Sequence, residues 1–130
     1  MVRTLEGKHP SYYEAVLQLR EVTKDIVDFA ESEIDRVKLP VAKFLKVRNG
    51  FDYYLADNTL TIALGKKLQQ KFGGEFNTTS SLHTKKDNKE LYRVTVLFRG
   101  VPFRKNDLVE YQGEEWVIRA MAKDIYLQNK

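Results

Sequence analysis

From Ser11 to Val22 apolar and polar residues nearly alternate, with Tyr13, Ala15, Leu17 and Leu19 on one side of the chain. A period of two predicts a strand, because successive side chains of an extended backbone point to opposite faces. After Thr23 the period lengthens. Ile26, Ala30, Ile34 and Val37 form one stripe, widened by Val27 and Phe29, and that spacing predicts an amphipathic helix. Thr23 stands at the N-cap position, Asp25 at the end that favours anions, and Arg36 and Lys38 at the end that favours cations. Pro40 is expected to end the helix.

Asn49-Gly50 predicts a two-residue turn joining a short hairpin, Ala42–Val47 with Phe51–Leu55. A turn of that type requires positive φ at Asn49, so Asn49→Val is expected to damage the fold. Tyr53 and Tyr54 are neighbours on the second strand, so at most one of them reaches an open face where bases could stack. In the next helix Leu60, Leu64, Leu68 and Phe72 recur every four residues, with Asp57 or Asn58 as cap and Gly73 as a left-handed stop. Gly65, in mid-helix, costs roughly 1 kcal/mol relative to alanine.

Two more strands are predicted, Glu75–Leu82 and Glu90–Arg99, the second with Tyr92, Val94, Val96 and Phe98 alternating with a half-polar set. Between them "HTKKDNK" reads as a solvated loop. The order β-α-β-β-α-β-β over residues 1–100 gives an α+β fold of two layers, with both helices on one face of a mainly antiparallel sheet. Residues 101–130 differ in character. Leu108-Val109, a turn at Gly113, Trp116–Arg119 and Asp124–Leu127 resemble the first strands of a small β-barrel. So short a stretch buries too little surface to stand alone. These strands either lean on the first unit or belong to a longer protein, and the second is expected.

Composition narrows the function. The chain has no cysteine, which excludes disulfides, thiolate nucleophiles, iron–sulfur clusters and cysteine zinc sites. No apolar run reaches the ~20 residues of a membrane span, and "MVRTLEGKHP" lacks the apolar centre of a secretory signal. A cytoplasmic protein without membrane contact is expected. His9 and His83 lie far apart, and no P-loop, Gly-x-Gly-x-x-Gly or His-Glu-x-x-His pattern occurs. The carboxylates Asp25, Asp28, Glu31, Glu33 and Asp35 interleave with the apolar stripe of the first helix, as on a solvated outer face. The expectation is a protein that is not an enzyme, with no cofactor, no metal and no small-molecule substrate.

The net charge is +4, compatible with a polyanionic partner. Its cations gather in three places: Lys43, Lys46 and Arg48 on the short hairpin, Lys66, Lys67 and Lys71 on the second helix, and Lys85, Lys86 and Lys89 on the loop. Separated lysines suit phosphate contact with a folded RNA better than reading of its bases. Reversing Lys66, Lys67 and Lys71 to glutamate is expected to abolish such contact and to leave the fold intact.

Four stretches, "SYYEAVLQLREV", "VRNGFDYYLAD", "KFGGEFNTTSSLHTKKDNKELYRVTVLFR" and "FRKNDLVEYQGEEWVI", resemble in that order the archaeal members of the NMD-three family. That family includes the adaptor that exports the large ribosomal subunit from the eukaryotic nucleus. The resemblance implies a middle domain similar to a large-subunit ribosomal protein, followed by the start of a domain like the hypusine-containing translation factor. The family's zinc-binding region, built on Cys-x-x-Cys pairs, has no counterpart here. Binding to the large ribosomal subunit, its RNA or its proteins, is what the resemblance implies, with the lysines as contacts. The alternative is a scaffold domain that binds proteins through strand edges or the barrel strands near Tyr111 and Trp116.

Overall fold

The computed structural model describes residues 12–86, 89–101, 105–122 and 124–129, and side chains within them outside 82–91. The first strand, β1 (Ala15–Arg20), buries Ala15, Leu17 and Leu19 completely, as its alternation predicts. It is shorter than the alternating stretch. Tyr12 and Tyr13 precede it, and a bend at Glu14 takes Tyr13 out of the buried row. Helix α1 (Lys24–Arg36) buries Ile26, Ala30 and Ile34.

The caps of α1 correct two expectations. Thr23 occupies the N-cap position, yet its side chain makes no capping hydrogen bond. The stop comes before Pro40. Lys38 adopts φ 55°, its amide donates to Asp35 O (3.1 Å), and the Leu39 amide donates to Ile34 O (3.0 Å). This is a Schellman closure with lysine in the place glycine usually takes. Leu39 and Ile34, the apolar pair that accompanies such a motif, are both buried in the core.

Strands β2 (Val41–Val47) and β3 (Gly50–Leu55) form the hairpin, with its turn one residue earlier than the dipeptide implies. Arg48 and Asn49 make the turn, and Gly50 pairs with Val47. Neither turn residue has positive φ, so the penalty expected for Asn49→Val loses its basis. The glycine is needed for another reason. A Cβ at Gly50 would lie 1.7 Å from Leu19 O on the neighbouring strand.

Helix α2 (Asn58–Phe72) is capped by Asp57, whose side chain accepts from the Leu60 amide at 2.8 Å. Its buried face is Thr61, Leu64, Gly65 and Leu68; Leu60 stands at the margin. Gly65 is where helix and sheet approach most tightly, for an added Cβ would fall 2.6 Å from the Phe76 ring and from Val96. Gly73 ends the helix with φ 72° and ψ 176°, a conformation outside the left-handed helical region and open essentially to glycine alone.

Strands β4 (Glu75–Lys86) and β5 (Lys89–Arg99) complete a five-stranded sheet of order β2-β3-β1-β5-β4. All neighbours are antiparallel except β1 and β5, which run parallel with Leu17 beside Val96 and Leu19 beside Phe98. Both helices lie on one face. Leu17, Leu19, Tyr53, Leu55, Val96 and Phe98 meet Ile26, Ala30, Ile34, Leu64 and Leu68 there, and fully burying one such side chain is worth about 1.5–3 kcal/mol.

A second sheet, β6 (Leu108–Tyr111), β7 (Glu114–Met121) and β8 (Ile125–Asn129), is an antiparallel meander. It rests on the end of α2. A Cβ at Gly73 would lie 3.3 Å from Ala122 O and 3.4 Å from Met121 Cβ. Ile118 is its one fully buried apolar residue among those described.

Candidate nucleic-acid interface

The region expected as a loop is a ribbon. Lys85, Lys86 and Lys89 are strand residues, with Lys86 directly opposite Lys89 in register. The sequence carries no apolar alternation here. β1 pairs with β5 only along Val94–Arg99, so Lys89–Arg93 pair with β4 alone and extend roughly 17 Å past the sheet. Asn58 Nδ2 donates to Tyr92 O (3.2 Å) at the ribbon's base. His83 falls at the irregularity between Leu82 and Thr84, and His9 lies outside the described residues.

The hairpin cations stand at the opposite sheet edge. The order β2-β3-β1-β5-β4 places β2 four strand spacings from β4, roughly 19 Å. Lys43 and Lys46 are exposed and point to opposite faces, because Lys43 pairs with Tyr54 and Lys46 with Phe51. Arg48 is exposed in the turn.

On α2 the lysines are engaged with α1. Lys67 Nζ lies 3.1 Å from Glu33 Oε1, and Arg36 Nε lies 2.7 Å from the other carboxylate oxygen. Arg36 first, and then Lys67, hold the Glu33 carboxyl below its ordinary range. Lys71 Nζ sits 5.1 Å from the centre of the Phe29 ring, which itself meets Phe72 edge-on. Lys66 is exposed. Reversing all three would therefore break an ion pair and a cation–π contact between the helices, and the fold would not be untouched. The nine cations named from the sequence thus form three separate sets rather than one patch.

The other carboxylates of α1 have separate duties too. Asp28 pairs with Lys24 (2.7 Å), and Glu31 accepts from the Tyr53 hydroxyl (3.1 Å). Burial first, and then Glu31, raise the Tyr53 hydroxyl well above its ordinary value. Among the described residues no three such side chains gather in a way that could hold a metal ion.

A constellation missed by the sequence reading lies on the face of the five-stranded sheet that, among the described residues, carries no helix. Tyr53 is buried, while Tyr54, its neighbour, turns to this open face. The Tyr13 ring meets the Tyr54 ring edge-on with centres 4.8 Å apart. Arg93 Cζ lies 3.9 Å from the centre of the Tyr13 ring, and Lys43 Nζ lies 5.5 Å from that of Tyr54. The row Lys43, Tyr54, Tyr13, Arg93 thus crosses the sheet from β2 to β5. The signal for it was present in β5, where Arg93, Thr95, Leu97 and Arg99 share the parity opposite to Val96 and Phe98. Its link to Tyr13 needs the β1–β5 pairing, which spans nearly the whole unit.

Elsewhere on this face the cations have partners. Arg20 Nη1 lies 2.7 Å from Asp52 Oδ1 and also donates to Leu19 O (3.0 Å). Asp52 Oδ1 has no well-directed hydrogen bond, so the contact is an ion pair of charge rather than of geometry. Arg99 and Glu75, both about half exposed, approach to 3.7 Å.

The three-stranded sheet offers a concavity of about 610 Å³ lined by Val109, Tyr111, Trp116, Ile118, Tyr126 and Leu127 among others. Trp116 Nε1 donates to Tyr111 O at 3.0 Å, and Tyr111 and Tyr126 are more than half exposed. Among the described residues no helix is long and apolar enough to cross a membrane.

Residues 12–99, the five-stranded sheet with its two helices, match the family profile described as NMD3, second domain. No curated protein matches the chain. With well over half of its length covered by that profile, the chain belongs to the NMD3 family, whose association is with the large ribosomal subunit.

Proposed function

We propose that this chain is a non-catalytic module that binds the large ribosomal subunit, in its maturation or in translation, and contacts ribosomal RNA. Family membership over residues 12–99 carries the reading. The ribbon supports it. Lys86 and Lys89 occupy opposed register positions at its far end, and like charges directly opposite destabilise a strand pair. A phosphate backbone laid against the ribbon relieves that repulsion and releases counterions.

The test is co-sedimentation of the chain with purified large subunits across a salt series. Binding is expected to weaken steeply as salt rises, and Lys85, Lys86 and Lys89 reversed together to glutamate should remove most of it. These three are chosen because they lie on the ribbon, whereas Lys67 and Lys71 engage Glu33 and Phe29 of α1. Absence of binding at low salt by a folded chain would reject the proposal. A second reading, protein docking, is favoured by the open apolar concavity of the three-stranded sheet; it predicts binding that changes little with salt.

A further inference from the structure

We infer that the helix-free face of the five-stranded sheet is a stacking platform for unpaired nucleotides of RNA, built by Tyr13, Tyr54 and Arg93 with Lys43 at its edge. The inference rests on the RNA-contact reading and gives it a second site, distinct from the ribbon in face and in chemistry.

Three observations carry it. The two tyrosines stand edge to face, 4.8 Å between centres, on a face that no helix among the described residues covers, while α1 and α2 pack against the opposite face. Arg93 lies against Tyr13 at 3.9 Å, and among the described residues no carboxylate lies within ion-pair distance of it. Its Nε is buried without a hydrogen-bond partner. The ring therefore fixes the plane of the guanidinium without neutralising its charge. Lys43 stands likewise beside Tyr54 with no ion pair among those described.

Cations at both ends of an aromatic pair, with no ion pair to either among the described residues, complement a chain that alternates flat bases with phosphates. Bases stack on aromatic rings and on guanidinium planes with little preference for sequence. An acidic peptide would satisfy the cations and leave the rings without purpose. A duplex presents its bases stacked inside and could use only the charges. The occupant that uses all four groups is a single-stranded segment.

The experiment is an anisotropy titration of the full chain with a short labelled uridine oligonucleotide, run alongside subunit co-sedimentation. Tyr54→Leu is expected to weaken oligonucleotide binding by about tenfold without changing its salt dependence, whereas Tyr54→Phe, which keeps the ring, should bind as the parent does. Arg93→Lys keeps the charge and loses the planar stack; it should weaken binding at an unchanged salt slope. Lys43→Gln should lower the slope by about one. Equal affinity of the parent and a folded Tyr54→Leu overturns the inference. If that equality is found while subunit binding persists, the ribbon reading stands and the platform falls. If the parent binds neither probe, both fall. Photo-crosslinks from position 54 that reach ribosomal protein instead of RNA also overturn it.

Discussion

The two faces of the five-stranded sheet are made by the same strands, residue by alternate residue, and they serve different ends. On one face Leu17, Leu19, Val96 and Phe98 are wholly buried beneath two helices. On the other, Val16, Thr95 and Arg93 are only partly covered, and contacts run between rings and cations. The first face is closed by apolar area and tolerates little change. The second holds its side chains by weak, directional contacts of about 0.5–1.5 kcal/mol each, which a ligand can extend. On the proposed reading, stability and recognition are separated by one residue of strand.

The sharpest way to break this comparison is to truncate one residue from each parity of β5. Phe98→Ala is expected to cost about 3–5 kcal/mol in urea unfolding, while Thr95→Ala should stay within about 0.5 kcal/mol. Equal costs would mean that the open face is also structural.

Gly65→Ala gives a smaller and more diagnostic effect. Helix propensity alone favours alanine by about 1 kcal/mol. The new methyl, however, would sit 2.6 Å from both Phe76 and Val96, and overpacking of that kind costs about 1–3 kcal/mol. A lowered melting temperature is expected. A raised one would mean that the helix-covered face is looser than the geometry implies.

The smallest effect uses the adjacent tyrosines. The Tyr53 hydroxyl is raised from its ordinary value of 10.0, by burial first and by Glu31 after it. The unfolded chain therefore loses this proton before the folded one, and stability falls as pH rises above about 10. Tyr53→Phe should flatten that alkaline decline in melting temperature, and an unchanged slope would remove Tyr53 as its cause.

Much of this architecture is legible in the sequence, because periodicity reports burial directly. The stripe of α1, the alternation of β1 and β5 and the order of all seven elements in the first unit follow from it. What stays illegible is set by backbone or by long-range pairing. Lys38 closes α1 although nothing about lysine announces positive φ; the buried Ile34–Leu39 contact imposes it. The continuation of β4 past Leu82, His-Thr-Lys-Lys, carries no apolar residue, so nothing in its pattern tells a strand from a solvated loop. The candidate site divides the same way. Cations can be counted in a sequence, yet their separation across the sheet depends on strand order. The meeting of Tyr13 with Arg93 depends on two segments eighty positions apart.

That last pairing bears on how the molecule is made. β1 is the middle strand, and its parallel partner β5 is the last to be added to the sheet. A chain emerging from its amino end can form α1 and the β2–β3 hairpin early, with β1 joined to β3. Leu17 and Leu19 nevertheless lack a neighbour on one side until Arg99 has been synthesised. Closure over so long a stretch of chain is slow in entropic terms. The half-made sheet presents an unpaired apolar edge throughout that wait, so the β4–β5 hairpin acts as the latch of the fold, and damage to its pairing should appear first as loss during synthesis.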